Sequence, residues 1–279
     1  MKKRIVKEVV EERKLLALAY SELGTGTHFY ISDLKAENAG DKKLLSGVKS
    51  MVTSAGQASY YLVLAPSDVE GAIDNWLVPL ETPGLKFEQN TWHGLGMRGN
   101  VSCQMHLNKA EVSVSNRIGE EGAGQEHVFS VVAPYFIAGL AGVYSGLGEH
   151  MLEVSIAHAK ERKYTSGISL AEIETVQIHL AKMYNLVNSS VCTAKEATRS
   201  AAAGEEDALA KILSARIIAC EMVIEAGRLG MRVGGGKAYN KVGCMERLLR
   251  DAYAGQIMAP SADVLTVWLG KAITGLPLV

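Results

Sequence analysis

The chain of 279 residues is long enough for one large domain or two ordinary ones, and its 48% of hydrophobic residues can supply a sizeable core. The formal net charge of −1 argues against a general nucleic-acid binder and against docking on anionic membranes, because both need a basic excess. Four widely spaced cysteines without a CxxC pair argue against a disulfide framework or a zinc site, and favour a reducing, cytoplasmic compartment.

The first dozen residues are charged and helix-prone, and they end abruptly before the first strand signal. They lack the apolar stretch of a secretory signal. We interpret residues 1–12 as the last turns of a helix whose earlier part is missing from the chain.

Short strand signals, separated by Gly, Pro, Ser and Asn, fill the chain from about residue 14 to about residue 114. Each is an apolar–polar alternation or a short β-branched and aromatic run. The predicted strands cover residues 14–19, 59–65, 75–80, 101–107 and 111–114. We therefore expect a β domain over residues 1–124, built as a barrel or as two packed sheets.

Long helical patterns begin at about residue 125, with apolar residues at three- and four-residue steps. The predicted helices cover residues 126–164, 170–203, 205–233, 240–258 and 262–273. Such helices, joined by short turns, indicate an antiparallel bundle over residues 125–279, so the predicted class is α+β, a β-barrel or sandwich-like domain followed by a bundle. Pro134 and several glycines interrupt the apolar run 128–147, which favours a buried helix over a membrane span.

A triple glycine at residues 234–236 ends the third predicted helix, and Asn240 is a candidate N-cap of the fourth. Glycines allow a backbone to approach a ligand, and a helix N-terminus offers free N–H groups to a phosphate. A pyrophosphate or nucleotide contact is one interpretation of this stretch. A glycine C-cap followed by a turn is the other, and the local pattern alone favours it.

Six segments, in order along the chain, resemble motifs of the acyl-CoA dehydrogenase superfamily of flavoproteins. They are residues 19–27 (Ala-Tyr-Ser-Glu-Leu-Gly-Thr-Gly-Thr), 46–54 (Ser-Gly-Val-Lys-Ser-Met-Val-Thr-Ser), 95–100 (Leu-Gly-Met-Arg-Gly-Asn), 118–122 (Ile-Gly-Glu-Glu-Gly), 159–162 (Ala-Lys-Glu-Arg), and 235–252, where Gly-Gly-x-x-Tyr precedes Glu-Arg-x-x-Arg-Asp-Ala. The resemblance covers the family's middle β domain and its C-terminal helical bundle. The family's N-terminal helical domain has no counterpart, which implies a truncated or split product, or another chain that supplies it.

The resemblance implies an FAD site. Ser21 and Thr53 match residues that contact the flavin ring, and Thr27 matches a residue near the pyrophosphate. Hydroxyl groups suit these roles because they can donate to flavin carbonyls and ring nitrogens. Taken singly, each of the three could instead be an ordinary turn or strand residue.

The same resemblance places residues of the helical half on FAD. Gly235 and Gly236 would lie against the adenine half, and Arg162 would reach the pyrophosphate of a neighbouring subunit, as an arginine pairs well with phosphate. A solvated helix end is the simpler role for Arg162. Two aromatic positions differ from the family's pattern. The aromatic residue of the motif that follows Arg162 is replaced by Tyr164 at a shifted position, and Met51 stands in place of a tryptophan beside the flavin.

The catalytic base of the family has no counterpart in the sequence. The family removes a proton α to the thioester carbonyl with a Glu eight residues after the Asp of Arg-Asp-Ala, and this position is Ala259 here. The alternative position on the first bundle helix falls near Phe136. Neither side chain accepts a proton, and Glu126 and Glu149 are better explained as solvated helix carboxylates, so the catalytic residue is unknown.

Three functions stay open. The first is an FAD-dependent oxidoreductase of fatty acid metabolism that desaturates an acyl-CoA thioester and passes electrons to an electron-transfer flavoprotein. The second is a non-catalytic subunit that pairs with a full-length homologue, and the third is a flavin-dependent monooxygenase of the same fold, which needs no α-proton base. We expect a homo- or hetero-oligomer without nucleic-acid partners, and no metal site, because the histidines show no ligand spacing.

Overall fold

The alternating sequences of the first half form two four-stranded β-sheets, and the periodic sequences of the second half form long helices. The computed structural model describes residues 1–279. The chain divides into a β unit (Met1–Gly94 and Arg98–Val132) and a helical unit (Leu95–Met97 and Ala133–Val279). The predicted α+β class is therefore confirmed, while the predicted division at residue 124 stays a prediction.

The β unit begins with helix α1 (Lys2–Glu11) and continues through eight strands. These are β1 (Leu16–Ala19), β2 (Lys35–Ala39), β3 (Lys42–Thr53), β4 (Tyr60–Pro66), β5 (Ile73–Pro79), β6 (Leu85–Phe87), β7 (Ser102–Ser113) and β8 (Arg117–Ile118). One sheet has the order β1-β4-β5-β8 and the other has the order β2-β3-β7-β6. The β1–β4 pair is parallel and the remaining pairs are antiparallel.

The hydrophobic core of the β unit draws side chains from both sheets. It includes Val63 from β4, Trp76 from β5, and alternate residues of β7 such as Met105. The prediction of two strands at 101–107 and 111–114 was wrong, because β7 is one strand. Its exposed residues 108 and 109 break the alternation, yet they only bulge outward between the pairs Leu45–Ala110 and Gly47–Leu107.

The helical unit is built on three long helices and two shorter helices. A short helix α2 (Gly124–His127) and a π-helical turn (Val128–Val132) lead into α3 (Ala133–Glu161), which is followed by α4 (Glu174–Ala203), α5 (Ala208–Tyr239), α6 (Met245–Ile257) and α7 (Ala262–Ile273). Helices α3, α4 and α5 pack against one another, and α6 and α7 pack on α5. Gly124–Glu161 is long and apolar enough to cross a membrane by length and composition, a test that core helices of soluble proteins also pass.

One of the two predictions in the glycine-rich stretch was wrong. The backbone leaves the helical conformation at Gly235 (φ 51°, ψ −136°), so the long helical run ends at the glycines as predicted, and α5 as bounded includes a short helical segment after this kink that ends at Tyr239. Asn240 is the residue that follows α5, not an N-cap, and the next helix begins only after Cys244. The hydrogen bond from the Asn240 N–H to the Gly236 carbonyl (3.1 Å) closes the short segment, which begins directly after Gly235.

Candidate functional site

A loop of the β unit, residues 20–34, carries Ser21 and Thr27 between β1 and β2. Both side chains are half-buried, and neither hydroxyl has a hydrogen-bond partner. Gly26 beside Thr27 has a positive φ of 57°, and a Cβ built there would meet no atom within 4 Å. The loop therefore offers two unused hydroxyl donors and an open stretch of backbone.

A buried ion pair lies directly beneath this loop. Lys49 Nζ of β3 is 2.5 Å from Glu22 Oε1, and the two side chains are 0% and 5% exposed. The same ammonium donates to the Tyr20 carbonyl and to Ser32 Oγ, each at 3.3 Å. Burial lowers the pKa of Lys49 to about 8, against the opposing influence of the Glu22 carboxylate.

Glu22 is held by the far side of its own loop. It accepts hydrogen bonds from Ser32 Oγ (2.7 Å) and from the Asp33 N–H (2.9 Å). The Ser50 N–H of β3 also donates to the Ser21 carbonyl at 2.7 Å. The loop is therefore fastened to β3 by both side-chain and backbone bonds.

Thr53 is the last residue of β3, and its side chain is exposed. Its hydroxyl lies 3.4 Å from Ser102 Oγ of β7, a weak contact that leaves it available to a ligand. One extra residue of β3 between the pairs Lys49–Met105 and Val52–Cys103 forms a bulge. The bulge directs Met51 outward, where it is 60% exposed with a φ of 50°.

The helical unit places Gly235 and Gly236 at an exposed kink of α5 where a Cβ on either would meet no atom within 4 Å. Next to the kink lies a cleft of about 220 Å³. Its lining includes Val154, Ser155, His158 and Glu161 of α3, Gly234, Lys237 and Ala238 of α5, and Gly243, Cys244 and Met245 at the start of α6. Most of these side chains are small, so a ligand there would contact backbone closely.

The cleft is lined by both basic and acidic titratable groups, among them His158, Lys237 and Glu161. His158 Nδ1 is buried without a hydrogen-bond partner, and burial, reinforced by the charge of Lys237, lowers the pKa of His158. Arg162, just after α3, is exposed and forms no ion pair; its Nη1 donates to the Lys163 carbonyl (3.1 Å) and its guanidinium lies 5.9 Å from the ring centroid of Tyr164. The cations of Arg162 and Lys237, which form no ion pair, suit a phosphate-bearing ligand next to open glycine backbone.

The predicted site residues therefore form two groups, one in each unit. The β unit brings Ser21 close to the strand that carries Thr53, and the helical unit has Gly235 and Gly236 at the edge of the cleft. The Glu22–Lys49 pair and the cleft residues His158 and Lys237 were not predicted from the sequence. The signal for the pair was present, because Glu22 and Lys49 are the charged residues of the first two recognised segments.

The position predicted for the catalytic base carries no carboxylate. Ala259 is half-buried in the turn between α6 and α7, where Ser261 caps α7 by accepting the Val264 N–H at 3.5 Å. Phe136 is half-buried on α3, whereas Glu126 and Glu149 are exposed. The exposed carboxylates agree with the interpretation of solvated helix residues.

The donor set fits FAD. Hydroxyls without partners at Ser21 and Thr27 can donate to a ring or a phosphate, and the open backbone at Gly235 and Gly236 can approach a flat base. Arg162 has no carboxylate that would compete with a diphosphate.

Comparison with known proteins matches two family models, "acyl-CoA dehydrogenase, middle domain" at residues 17–110 and "acyl-CoA dehydrogenase, C-terminal domain" at residues 138–274. The cyclohex-1-ene-1-carbonyl-CoA dehydrogenase of Geobacter metallireducens is 26% identical over 277 residues, which cover 98% of this chain and 72% of that protein. The cyclohexane-1-carbonyl-CoA dehydrogenase of the same organism is 28% identical over 276 residues, 97% of this chain and 70% of that protein. The structure of butyryl-CoA dehydrogenase from Megasphaera elsdenii shares the fold, with a TM-score of 0.91 at 22% identity over 98% of this chain and 71% of that chain.

Proposed function

Since the chain belongs to the acyl-CoA dehydrogenase family, we propose that it binds FAD and acts on an acyl-CoA thioester. The observation that carries the proposal is the pair of unused hydroxyls at Ser21 and Thr27, in a loop within the segment that matches the family's middle domain. The four cysteines are free, in keeping with a reducing, cytoplasmic setting.

In this proposal the β unit binds the flavin half of FAD. Ser21 and Thr53 donate hydrogen bonds to atoms of the flavin ring, and Thr27 donates to the pyrophosphate. The exposed Met51 side chain offers an apolar surface beside the ring. FAD held by these residues would supply the hydride acceptor for oxidation of the acyl chain, and an electron-transfer flavoprotein would be the partner that accepts the electrons.

The helical unit binds the other half of FAD. Gly235 and Gly236 let the adenosine approach the backbone of α5, and Arg162 pairs with a phosphate of a neighbouring subunit's FAD. This last assignment requires an oligomer. Lys237 adds a further positive charge at the cleft.

Ala259 favours a second candidate function. Desaturation needs a group that removes the α-proton, and a methyl side chain cannot do so. A chain that binds FAD but lacks this base would serve as a non-catalytic subunit that pairs with a full-length homologue. A flavin-dependent monooxygenase of the same fold is the further alternative, since it needs no such base.

FAD binding is tested by purifying the chain, recording its visible spectrum and titrating the apoprotein with FAD. We expect a yellow protein. The double variant Ser21→Ala/Thr53→Ala should bind FAD at least about tenfold more weakly than the wild-type chain, since each neutral hydrogen bond contributes about 0.5–1.5 kcal/mol. Thr91→Ala, which removes an exposed hydroxyl elsewhere in the β unit, is the matched control. A chain that binds no FAD at all overturns the proposal.

The reaction is tested by adding acyl-CoA thioesters of different chain lengths to the FAD-loaded protein without oxygen. Bleaching of the flavin band supports desaturation. A flavin that stays oxidised with every thioester contradicts desaturation by this chain, and stable co-purification with a full-length homologue then supports the subunit function.

A further inference from the structure

Three consecutive loop residues are tied to two consecutive residues of β3. The carbonyl of Tyr20 and the carboxylate of Glu22 both accept from the ammonium of Lys49, at 3.3 and 2.5 Å. Between them, the carbonyl of Ser21 accepts from the Ser50 N–H at 2.7 Å. The backbone of Ser21 is therefore held on both sides and at its own carbonyl, while its hydroxyl stays unused.

All the hydrogen bonds of the Lys49 ammonium go to this one loop. An ammonium has three donors, and they are directed to Glu22, to Tyr20 and to Ser32, which lies near the other end of the loop. Ser32 in turn donates to Glu22, and the Asp33 N–H donates to the second carboxylate oxygen. One buried charge pair therefore closes the loop upon itself and joins it to β3.

Stability alone does not explain such a pair. The transfer of two charges into a protein interior costs about as much as the pair regains, and apolar side chains of similar volume often stabilise a fold equally well. Lys43, on the same strand, offers a contrast, because its ammonium reaches Asp68, which is 46% exposed. Lys49 has no such partner at the surface, and all of its hydrogen-bond partners belong to the loop of residues 20–34.

We propose that Glu22 and Lys49 are positioning residues, whose buried pair orients the Ser21–Thr27 segment to receive the flavin half of FAD. This inference rests on the proposed binding of FAD. The pair itself does not touch the ligand; it acts through Ser21, whose backbone lies between the two residues that accept from Lys49. Thr53 follows four residues after Lys49 on the same strand, so the pair also ties the two ring-binding hydroxyls to one rigid element.

The first test follows hydrogen exchange in the apoprotein of the double variant Glu22→Gln/Lys49→Met, in which no unpaired charge is left buried. We expect exchange in residues 20–34 to rise by about tenfold or more, as in a loop released to local opening, while exchange in β3 and β7 stays within about twofold. The control Lys43→Met/Asp68→Asn removes the ion pair between another buried lysine of the same strand and an exposed carboxylate, and it should leave the loop unchanged. Unchanged exchange in the loop, or loss of protection throughout the β unit, overturns the inference.

The second test measures the energetic coupling of the pair to Ser21. In the wild-type chain, Ser21→Ala should weaken FAD binding by about fivefold, and in the Glu22→Gln/Lys49→Met background by less than about twofold, because a misdirected hydroxyl contributes little. The flavin absorption band should shift in the same variants, since a hydrogen bond to the ring is lost. Additive effects of the two changes contradict a positioning role, even where both weaken binding.

The two tests separate this inference from the function on which it rests. A wild-type chain that binds no FAD contradicts the proposed function. The exchange experiment, which contains no FAD, still decides whether the pair orders the loop.

Discussion

Burial controls the protonation of Lys49. Its pKa falls from 10.5 to about 8, because the interior penalises the ammonium more than Glu22 and Asp33 favour it. Between these two pH values the unfolded chain binds more protons than the folded chain, so this group makes the free energy of unfolding rise with pH across that window. Below about pH 8 the penalty for the buried charge is fully present.

The expected size of this effect is on the order of 3 kcal/mol between about pH 8 and pH 10.5. Urea unfolding of the wild-type chain and of Glu22→Gln/Lys49→Met, measured at a series of pH values, isolates the contribution of Lys49 between about pH 8 and pH 10.5 as the difference between the two curves, because no unpaired carboxylate is left buried in the variant. Lys43→Met controls for the loss of another buried lysine of β3. A difference that does not change with pH would contradict the lowered pKa.

Ala259 offers a gain-of-function test. If the turn after α6 is the position of the family's base, Ala259→Glu places a carboxylate there, and flavin bleaching by an acyl-CoA should accelerate by about 100-fold or more. Ala259→Gln is the matched control, because it adds the same bulk without a proton acceptor. Equal bleaching rates in the Glu and Gln variants, measured by anaerobic stopped-flow absorbance, would show that position 259 is not the position of the catalytic base.

The sequence predicted some candidate site residues and not others, for a physical reason. Motif order led to Ser21, Thr27 and Thr53, whose roles on FAD stay predictions, but it did not lead to the charge pair beneath them. A lysine in an alternating segment is normally solvent-facing, and only the three-dimensional structure shows that Lys49 points inward to a partner 27 residues away along the chain.

At the scale of elements, the same inward lysines explain why β3 was not predicted. Lys43 and Lys49 are 2% and 0% exposed. They occupy buried positions of the strand, so the hydrophobic alternation that marks a strand is interrupted. Elements whose buried positions carry hydrophobic residues were predicted well. The predicted bounds of β4 (Tyr60–Pro66) differ from the observed ones by one residue, and those of α7 (Ala262–Ile273) agree with them.

The kink of α5 is the element on which a backbone prediction can be tested. Gly235 has a φ of 51° and a ψ of −136°, a conformation that side-chain-bearing residues avoid, whereas Gly236 is helical and has open space around it. Gly235→Ala should lower the free energy of unfolding by about 1–3 kcal/mol. Gly236→Ala should raise it by up to about 1 kcal/mol, because alanine favours the helix.

Denaturant unfolding measures the free energy of unfolding of the two variants. Each variant is the control for the other, because the two glycines are adjacent and both are exposed. Equal effects of the two substitutions would mean that the kink is not a fixed feature of α5. If Gly235 also contacts the adenine half of FAD, Gly235→Ala should weaken ADP binding as well as stability.

At the scale of the whole molecule, the proposal assigns the two halves of one cofactor to two units of the fold. The FMN half belongs to the loop that the Glu22–Lys49 pair holds. The AMP half belongs to the kink of α5, whichever chain of an oligomer supplies each. The two family models divide the chain in the same manner, with one match in each unit. Each half of FAD should therefore stabilise only the unit that binds it.

Hydrogen exchange with FAD, FMN and AMP tests this division on the intact chain. FAD should slow exchange both in residues 20–27 and in residues 234–240, because a bound ligand stabilises the segments that contact it. FMN should protect only the first segment and AMP only the second, since FAD consists of FMN joined to AMP. Helix α7, which has no proposed contact, is the internal control. If AMP protects the loop that carries Ser21, or if FAD protects neither segment, the assignment of the halves is wrong, whereas protection of the first segment alone would leave the flavin-binding role of the β unit intact and remove Gly235 and Gly236 from the site.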